Sequence, residues 1–224
     1  MANAATLATQ AGLEAAIAEL ARQDGDLARE VRRIGMPAPR IRPPGFATLL
    51  QIIIAQQVST RAAATLWQRL EQATAGHVDA MSILAGGESL LRGIGMSGRK
   101  AGYALALAES VSSARFDVDG LAGLDDDEAI ARIGALRGFG RWSAEIYLLF
   151  CLDRVDVMPA DDLALQVAWA RLRAIDERPS ARKLRENSDV WKPLRGAGAI
   201  FLWHLYGATT LDGSQKGMEY KEAT

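Results

Sequence analysis

Apolar positions recur with a helical period along nearly the whole chain. In residues 11–23, Leu13, Ile17 and Leu20 fall on one face with alanines around them, the spacing of an amphipathic helix. A proline-rich break, Met36-Pro37-Ala38-Pro39-Arg40-Ile41-Arg42-Pro43-Pro44-Gly45, separates this N-terminal piece from the rest. Phe46 to Gln57 is too apolar all round to form an exposed helix and belongs in a core. Ser59 stands where an N-cap is needed for a helix over 60–73 that carries Leu66, Trp67 and Leu70. Asp125–Asp127 occupy the first turn of a helix ending near Leu136, where negative charge meets the positive end of the dipole. Helices over 161–173 and 196–206 complete the set. No segment alternates as a half-buried strand does, so the expected fold class is all-α.

Two glycine turns interrupt this pattern. Leu91-Arg92-Gly93-Ile94-Gly95 is echoed by Leu136-Arg137-Gly138-Phe139-Gly140, each ahead of an apolar helix. A lone Gly-x-Gly is usually a helix C-cap and turn; the recurrence adds weight to both. In the second turn, Gly138 and Gly140 permit a tight hairpin with positive φ and a backbone free of side chains. The first amides of the helix beyond it point outward and can hold a phosphate. A carboxylate pair follows at Met158-Pro159-Ala160-Asp161-Asp162-Leu163. Read locally, an Asp ahead of Leu-Ala-Leu-Gln-Val is an ordinary helix cap.

At 224 residues the chain can bury a good core as one domain or two intimate lobes. No apolar run approaches the roughly 18 residues of a membrane span, and neither a secretory nor a transit peptide fits the Ala-rich start. A cytoplasmic protein with no membrane partner is expected, nucleoid-associated if bacterial. The single cysteine, Cys151, excludes an internal disulfide and a four-cysteine cluster, and reads as a buried inert thiol. Neither His77 nor His204 has metal-ligand company. Net charge is −1 and the pI about 6.2, which weakens any nucleic-acid reading. Acids gather at 117–128, however, whereas Arg92, Arg99, Lys100, Arg137 and Arg141 stand at the glycine turns, a distribution that suits a small phosphate footprint.

The order and spacing of several markers resemble the helix-hairpin-helix DNA glycosylases, and within them the 3-methyladenine DNA glycosylase II branch. The markers are Ile54-Ala55-Gln56-Gln57-Val58-Ser59, the first glycine turn with Met96-Ser97 and Lys100-Ala101, and the hairpin at 136–145. Pro159 to Leu165 follows, then Trp191-Lys192-Pro193-Leu194-Arg195 leading to Trp203. The likeness runs from about Phe46 to Tyr206. Larger bacterial members carry an additional N-terminal sheet domain, so the 45 residues before Phe46 resemble the short form. The resemblance implies two lobes, 46–154 and 1–45 plus 155–224, with the DNA and base site between them. It implies a monomer acting in base excision repair on double-stranded DNA that contains alkylated bases of the 3-methyladenine and 7-methylguanine type.

The resemblance also assigns roles. Asp162 becomes the catalytic carboxylate, leaving the cap to Asp161. It would stabilise the oxocarbenium-like sugar or direct the attacking water. Trp142 and Trp203 match base-pocket positions, where an aromatic face attracts a cationic base; read locally, both are core tryptophans. Ile146 and Leu163 stand where larger relatives place pocket tyrosines, and Tyr147 is turned about 100° away. Trp142 replaces the lysine of lyase-capable members, so hydrolysis without a Schiff base is expected. Gln57 falls where the family inserts a side chain into the gap left by the flipped nucleotide, although it also reads as a polar residue ending an apolar helix. Gly138, Gly140 and Arg141, with Gly93 and Gly95, are expected at the DNA backbone. The carbonyls of Gly134, Leu136 and Phe139 match a monovalent-cation site for Na+ or K+, and no other cofactor is expected. The competing readings are a non-enzymatic helix-hairpin-helix DNA-binding module, a glycosylase with lyase activity, and a glycosylase for other lesions.

Overall fold

The computed structural model describes residues 6–211, and among these the regular structure is helical without a strand. Two compact units emerge, one formed by Ile41–Leu152 and the other by the two flanking segments, Met1–Arg40 and Asp153–Thr224. The expected boundaries, at 45/46 and 154/155, shift by a few residues for reasons visible in the hydrogen bonds. Arg42 N–H donates to Phe150 O at 2.9 Å and Gly45 N–H to Tyr147 Oη at 2.8 Å, which ties the proline segment to the central unit. Asp153 accepts from Leu7 N–H at 2.8 Å and from Thr6 Oγ1, which ties it to the other.

The flanking unit holds α1 (Gln10–Gln23), α2 (Gly25–Ile34), α9 (Leu163–Leu172), α10 (Ala181–Asn187) and α11 (Arg195–Leu211). Leu13, Ile17 and Leu20 are buried as the helical period predicts. The α2 helix goes unread in the sequence because half of it is charged and it buries only Leu27. Its N-cap is Asp24, which accepts the Asp26 and Leu27 N–H groups at 3.1 Å each. Asp24 is 7% exposed; it also takes a bidentate pair from Arg173, at 2.8 and 2.5 Å, and the Trp191 indole N–H at 2.8 Å. Trp191 meets Trp169 edge to face at 4.8 Å, and Arg173 lies 4.6 Å over the Trp169 ring. This network joins α2, the C-terminus of α9 and the 3-10 turn Ser188–Trp191.

The central unit runs through α3 (Phe46–Ala55), α4 (Thr60–Ala73), α5 (Ala80–Gly93), α6 (Gly98–Ser112), α7 (Asp126–Gly134) and α8 (Arg141–Cys151). Ser59 caps α4 by accepting Ala62 N–H at 3.2 Å, as its sequence position predicts. Asp125 caps α7 through Glu128 N–H at 2.8 Å, with Asp126, Asp127 and Glu128 in the first turn. Two helices are buried nearly all round: α3, through Leu49, Leu50 and Ile52 to Ile54, and α8, from Ser143 to Phe150. Tyr147 is wholly buried, and burial pushes its hydroxyl up to about 12. Burial likewise raises the Cys151 thiol to about 12, consistent with an inert sulfur.

Candidate functional site

The hairpin is the α7–α8 connection. Leu136 N–H donates to Ile133 O and Phe139 N–H to Leu136 O, both at 3.0 Å, closing a tight turn in which Gly138 has φ +89°. A β-carbon at Gly138 would lie 2.3 Å from ring carbons of Tyr103 on α6, so conformation and packing both require glycine. Gly140 differs from the expectation of positive φ. Its φ of −139° and ψ of −175° are ordinary extended values, and a β-carbon there would meet nothing within 4 Å. Nothing in the fold demands glycine at this exposed position, which is the N-cap of α8 and makes no side-chain cap. Arg141 follows, 49% exposed, with Nε on Glu145 Oε1 at 2.9 Å; Glu145 itself is 1% exposed.

The first glycine turn is not a copy of the second. Gly93 still belongs to α5, and positive φ falls instead on Gly95, at +104°. The turn carbonyls are engaged from within: Arg69 Nη1 donates to Ile94 O at 3.2 Å, and Arg92 Nη1 to Met96 O at 3.3 Å. Ser97, rather than a glycine, caps the following helix by accepting Lys100 N–H at 3.3 Å. The sequence echo therefore places its two glycines at different structural positions.

Gln57 follows the end of α3 with an exposed side chain and φ +55°, a left-handed backbone unusual for a residue with a β-carbon. Its neighbour Gln56, which the sequence reading passed over, donates from Nε2 to Gly138 O at 2.8 Å. Lys100 Nζ donates to Ile54 O at 2.8 Å; burial, then the charge of Arg99, lowers its pKa. Within the central unit, Gln56 thus ties the residue before Gln57 to the hairpin carbonyl of Gly138. Gly134 closes α7 just before the turn, and Phe139 is nearly buried within it. Trp142 is half-buried in the first turn of α8, and Ile146, one turn later, is 7% exposed.

Asp162 lies in the flanking unit, and here the cap assignment is reversed. Asp162, not Asp161, is the N-cap of α9, its Oδ1 accepting Ala164 N–H at 2.8 Å and Leu165 N–H at 3.3 Å. Asp161 is exposed and pairs with Arg185 at 3.2 Å. The loop that delivers Asp162 is held from several sides. Gln166 Nε2 donates to Ala160 O at 2.8 Å and is itself held by Arg178 at 3.1 Å; Arg185 Nη1 donates to Met158 O at 2.9 Å. The legible signal for this support is a lone glutamine, Gln166, inside the otherwise apolar run 163–170 that opens α9. Leu163 is 40% exposed beside Asp162, and Trp203 is half-buried on α11. His204 Nε2 lies 3.1 Å from Ile34 O, and His77 is exposed. Among the described residues no three His, Cys, Asp or Glu side chains gather as a metal site.

Among the described residues the fold is thus all-helical, with a glycine hairpin ahead of α8 and a capping carboxylate, Asp162, at the head of α9. A family model for the HhH-GPD superfamily of base excision DNA repair proteins matches residues 50–193, and the chain belongs to that superfamily. It is 28% identical over 166 residues to DNA-3-methyladenine glycosylase 1 of Schizosaccharomyces pombe, covering 70% of this chain and 71% of that protein. Against DNA-3-methyladenine glycosylase 2 of Escherichia coli the identity is 23% over 189 residues, covering 78% and 64%. The structure of the S. pombe 3-methyladenine DNA glycosylase in complex with abasic DNA superposes with a TM-score of 0.81 at 26% identity, covering 90% of this chain and 99% of that one.

Proposed function

We propose that this chain is a monofunctional DNA glycosylase that hydrolyses the N-glycosidic bond of alkylated purines in duplex DNA. The observation that carries the reading is the pairing of two local devices in a base excision repair fold. One is a hairpin whose Gly140 is bare for no internal reason; the other is a carboxylate, Asp162, set on a loop braced by Gln166 and Arg185. Breaking the glycosidic bond builds positive charge on the sugar, and a preorganised carboxylate stabilises that charge. An alkylated purine already carries positive charge and leaves without help from an acid. Trp142 and Trp203 are each proposed, in its own unit, as an aromatic residue for such a base, since an aromatic face favours a cation by about 1–2 kcal/mol. The carbonyls of Gly134, Leu136 and Phe139 are the proposed donors for a Na+ or K+, since neutral oxygens suit a hard cation, which adds positive charge next to the hairpin.

Lyase chemistry needs an amine nucleophile, and Trp142 offers none. Lys100, the lysine of the central unit, is committed to Ile54 O. Methylated duplex incubated with the protein should therefore release 3-methyladenine and 7-methylguanine as free bases, with the strand left intact until alkali is added. Borohydride should trap no covalent adduct. Tight binding to methylated DNA without base release would instead identify a non-enzymatic DNA-binding module, and a trapped adduct would identify a lyase.

The two hairpin glycines should separate in a mutational test. Gly138→Ala forces a β-carbon into Tyr103 at positive φ, a strain of about 1–3 kcal/mol, and should lower thermal stability. Gly140→Thr adds a branched side chain at a position where threonine caps a helix about as well as glycine; it should leave the melting temperature nearly unchanged and weaken binding to every duplex alike, because phosphate contacts carry no base information. Melting curves and titrations against two duplexes of unrelated sequence decide the matter; sequence-selective loss at Gly140 contradicts a backbone contact.

A further inference from the structure

The side chain of Gln56 joins two elements that the proposed reaction uses, although its contact in the hairpin lies 82 residues away in sequence. Gln56 ends α3, its N–H donating to Ile53 O at 3.3 Å. Its Nε2 reaches Gly138 O at 2.8 Å and stands 3.5 Å from Ser143 Oγ in the first turn of α8. From α6, Lys100 holds Ile54 O at 2.8 Å. These two clamps bear on the short segment that ends in Gln57, whose backbone is left-handed and whose side chain is exposed. A left-handed residue with a β-carbon is disfavoured, and it persists where the surroundings over-determine it. The acceptor of Gln56 is the carbonyl of the same glycine whose positive φ and contact with Tyr103 shape the hairpin.

We propose that Gln56 is a positioning residue that couples the hairpin to Gln57. With the hairpin seated on the DNA backbone, the Gln56–Gly138 hydrogen bond keeps Gln57 in the posture from which its side chain enters the gap left by an extruded base. The proposal rests on the glycosylase reading above.

A double-mutant cycle on the full chain tests it. Binding is measured to a duplex containing a tetrahydrofuran abasic-site analogue and to the same duplex undamaged, for the parent, Gln56→Met, Gln57→Ala and the double variant. Methionine matches glutamine in length but cannot donate. Each single variant should bind the abasic duplex about five- to ten-fold more weakly, the scale of one hydrogen bond, and change undamaged binding by under about two-fold. The double variant should bind the abasic duplex no more weakly than Gln57→Ala alone, because Gln56 acts through Gln57. Gln56→Asn, one methylene too short to reach Gly138 O, should repeat the pattern and covers the case in which the methionine variant misfolds. Losses that multiply in the double variant, or that are equal on both duplexes, mean that Gln56 only supports the fold, and they overturn the proposal. A parent with no preference for the abasic duplex overturns the glycosylase reading, and the proposal with it.

Discussion

Replacing Asp162 with asparagine should slow base release by about 10²–10³ while leaving the protein folded and able to bind lesion DNA. The asparagine carbonyl oxygen can still accept the Ala164 and Leu165 N–H groups, so the start of α9 is preserved. What disappears is the negative charge that the developing oxocarbenium requires. Alanine is the poorer probe, because it removes the charge and also the cap, itself worth about 1 kcal/mol. Asp161→Asn breaks only an exposed pair with Arg185, the two side chains being 47% and 27% exposed. Such a pair contributes at most about 1 kcal/mol, so the rate should stay near the parental one. Single-turnover release of 7-methylguanine at saturating enzyme distinguishes these outcomes. Near-parental excision by Asp162→Asn, or a dead Asp161→Asn, removes Asp162 from the catalytic role.

Asp24→Ala should destabilise the chain by about 3 kcal/mol, the lower end of what breaking a buried ion pair costs, because Arg173 keeps 22% of its side chain exposed. The substitution strands the Arg173 guanidinium and the Trp191 indole N–H, and it uncaps α2. Urea unfolding measures the loss, and a change below about 1 kcal/mol would show that the network adds little. The pH dependence follows from the same contacts. Burial pushes the Asp24 carboxyl up, but Arg173, the Leu27 N–H and the Trp191 N–H outweigh it and hold the group below its ordinary 3.8. A depressed carboxylate contributes stability that is complete above its unfolded value and is lost as the pH falls through its folded one. Acid should therefore destabilise the parent below about pH 4 more steeply than Asp24→Asn, which has no charge to lose.

By itself the sequence determined what local chemistry controls. The helical period, the Ser59 cap, the all-round apolar α3 and the acidic first turn of α7 are visible because each depends on residues within a turn or two of one another. The order of motifs likewise marked the superfamily to which the chain belongs. Tertiary structure decided the rest. Read locally, Asp162 is already the cap of α9, as the structure has it; what the local sequence does not show is that the loop before it is held at Ala160 O by Gln166 and at Met158 O by Arg185. Similar Leu-Arg-Gly-apolar-Gly strings fold differently because α5 runs on to Gly93 while α7 stops at Gly134, so positive φ lands on the second glycine of one and the first of the other. Tyr103 and Gln56 make Gly138 a packing position, whereas no described atom lies within 4 Å of a β-carbon at Gly140. Thr6, Leu7 and Asp24 find their partners at Asp153, Arg173 and Trp191, more than a hundred residues away. A periodicity reaches along one helix, but a hydrogen bond between distant segments exists only once packing has brought its donor and acceptor together.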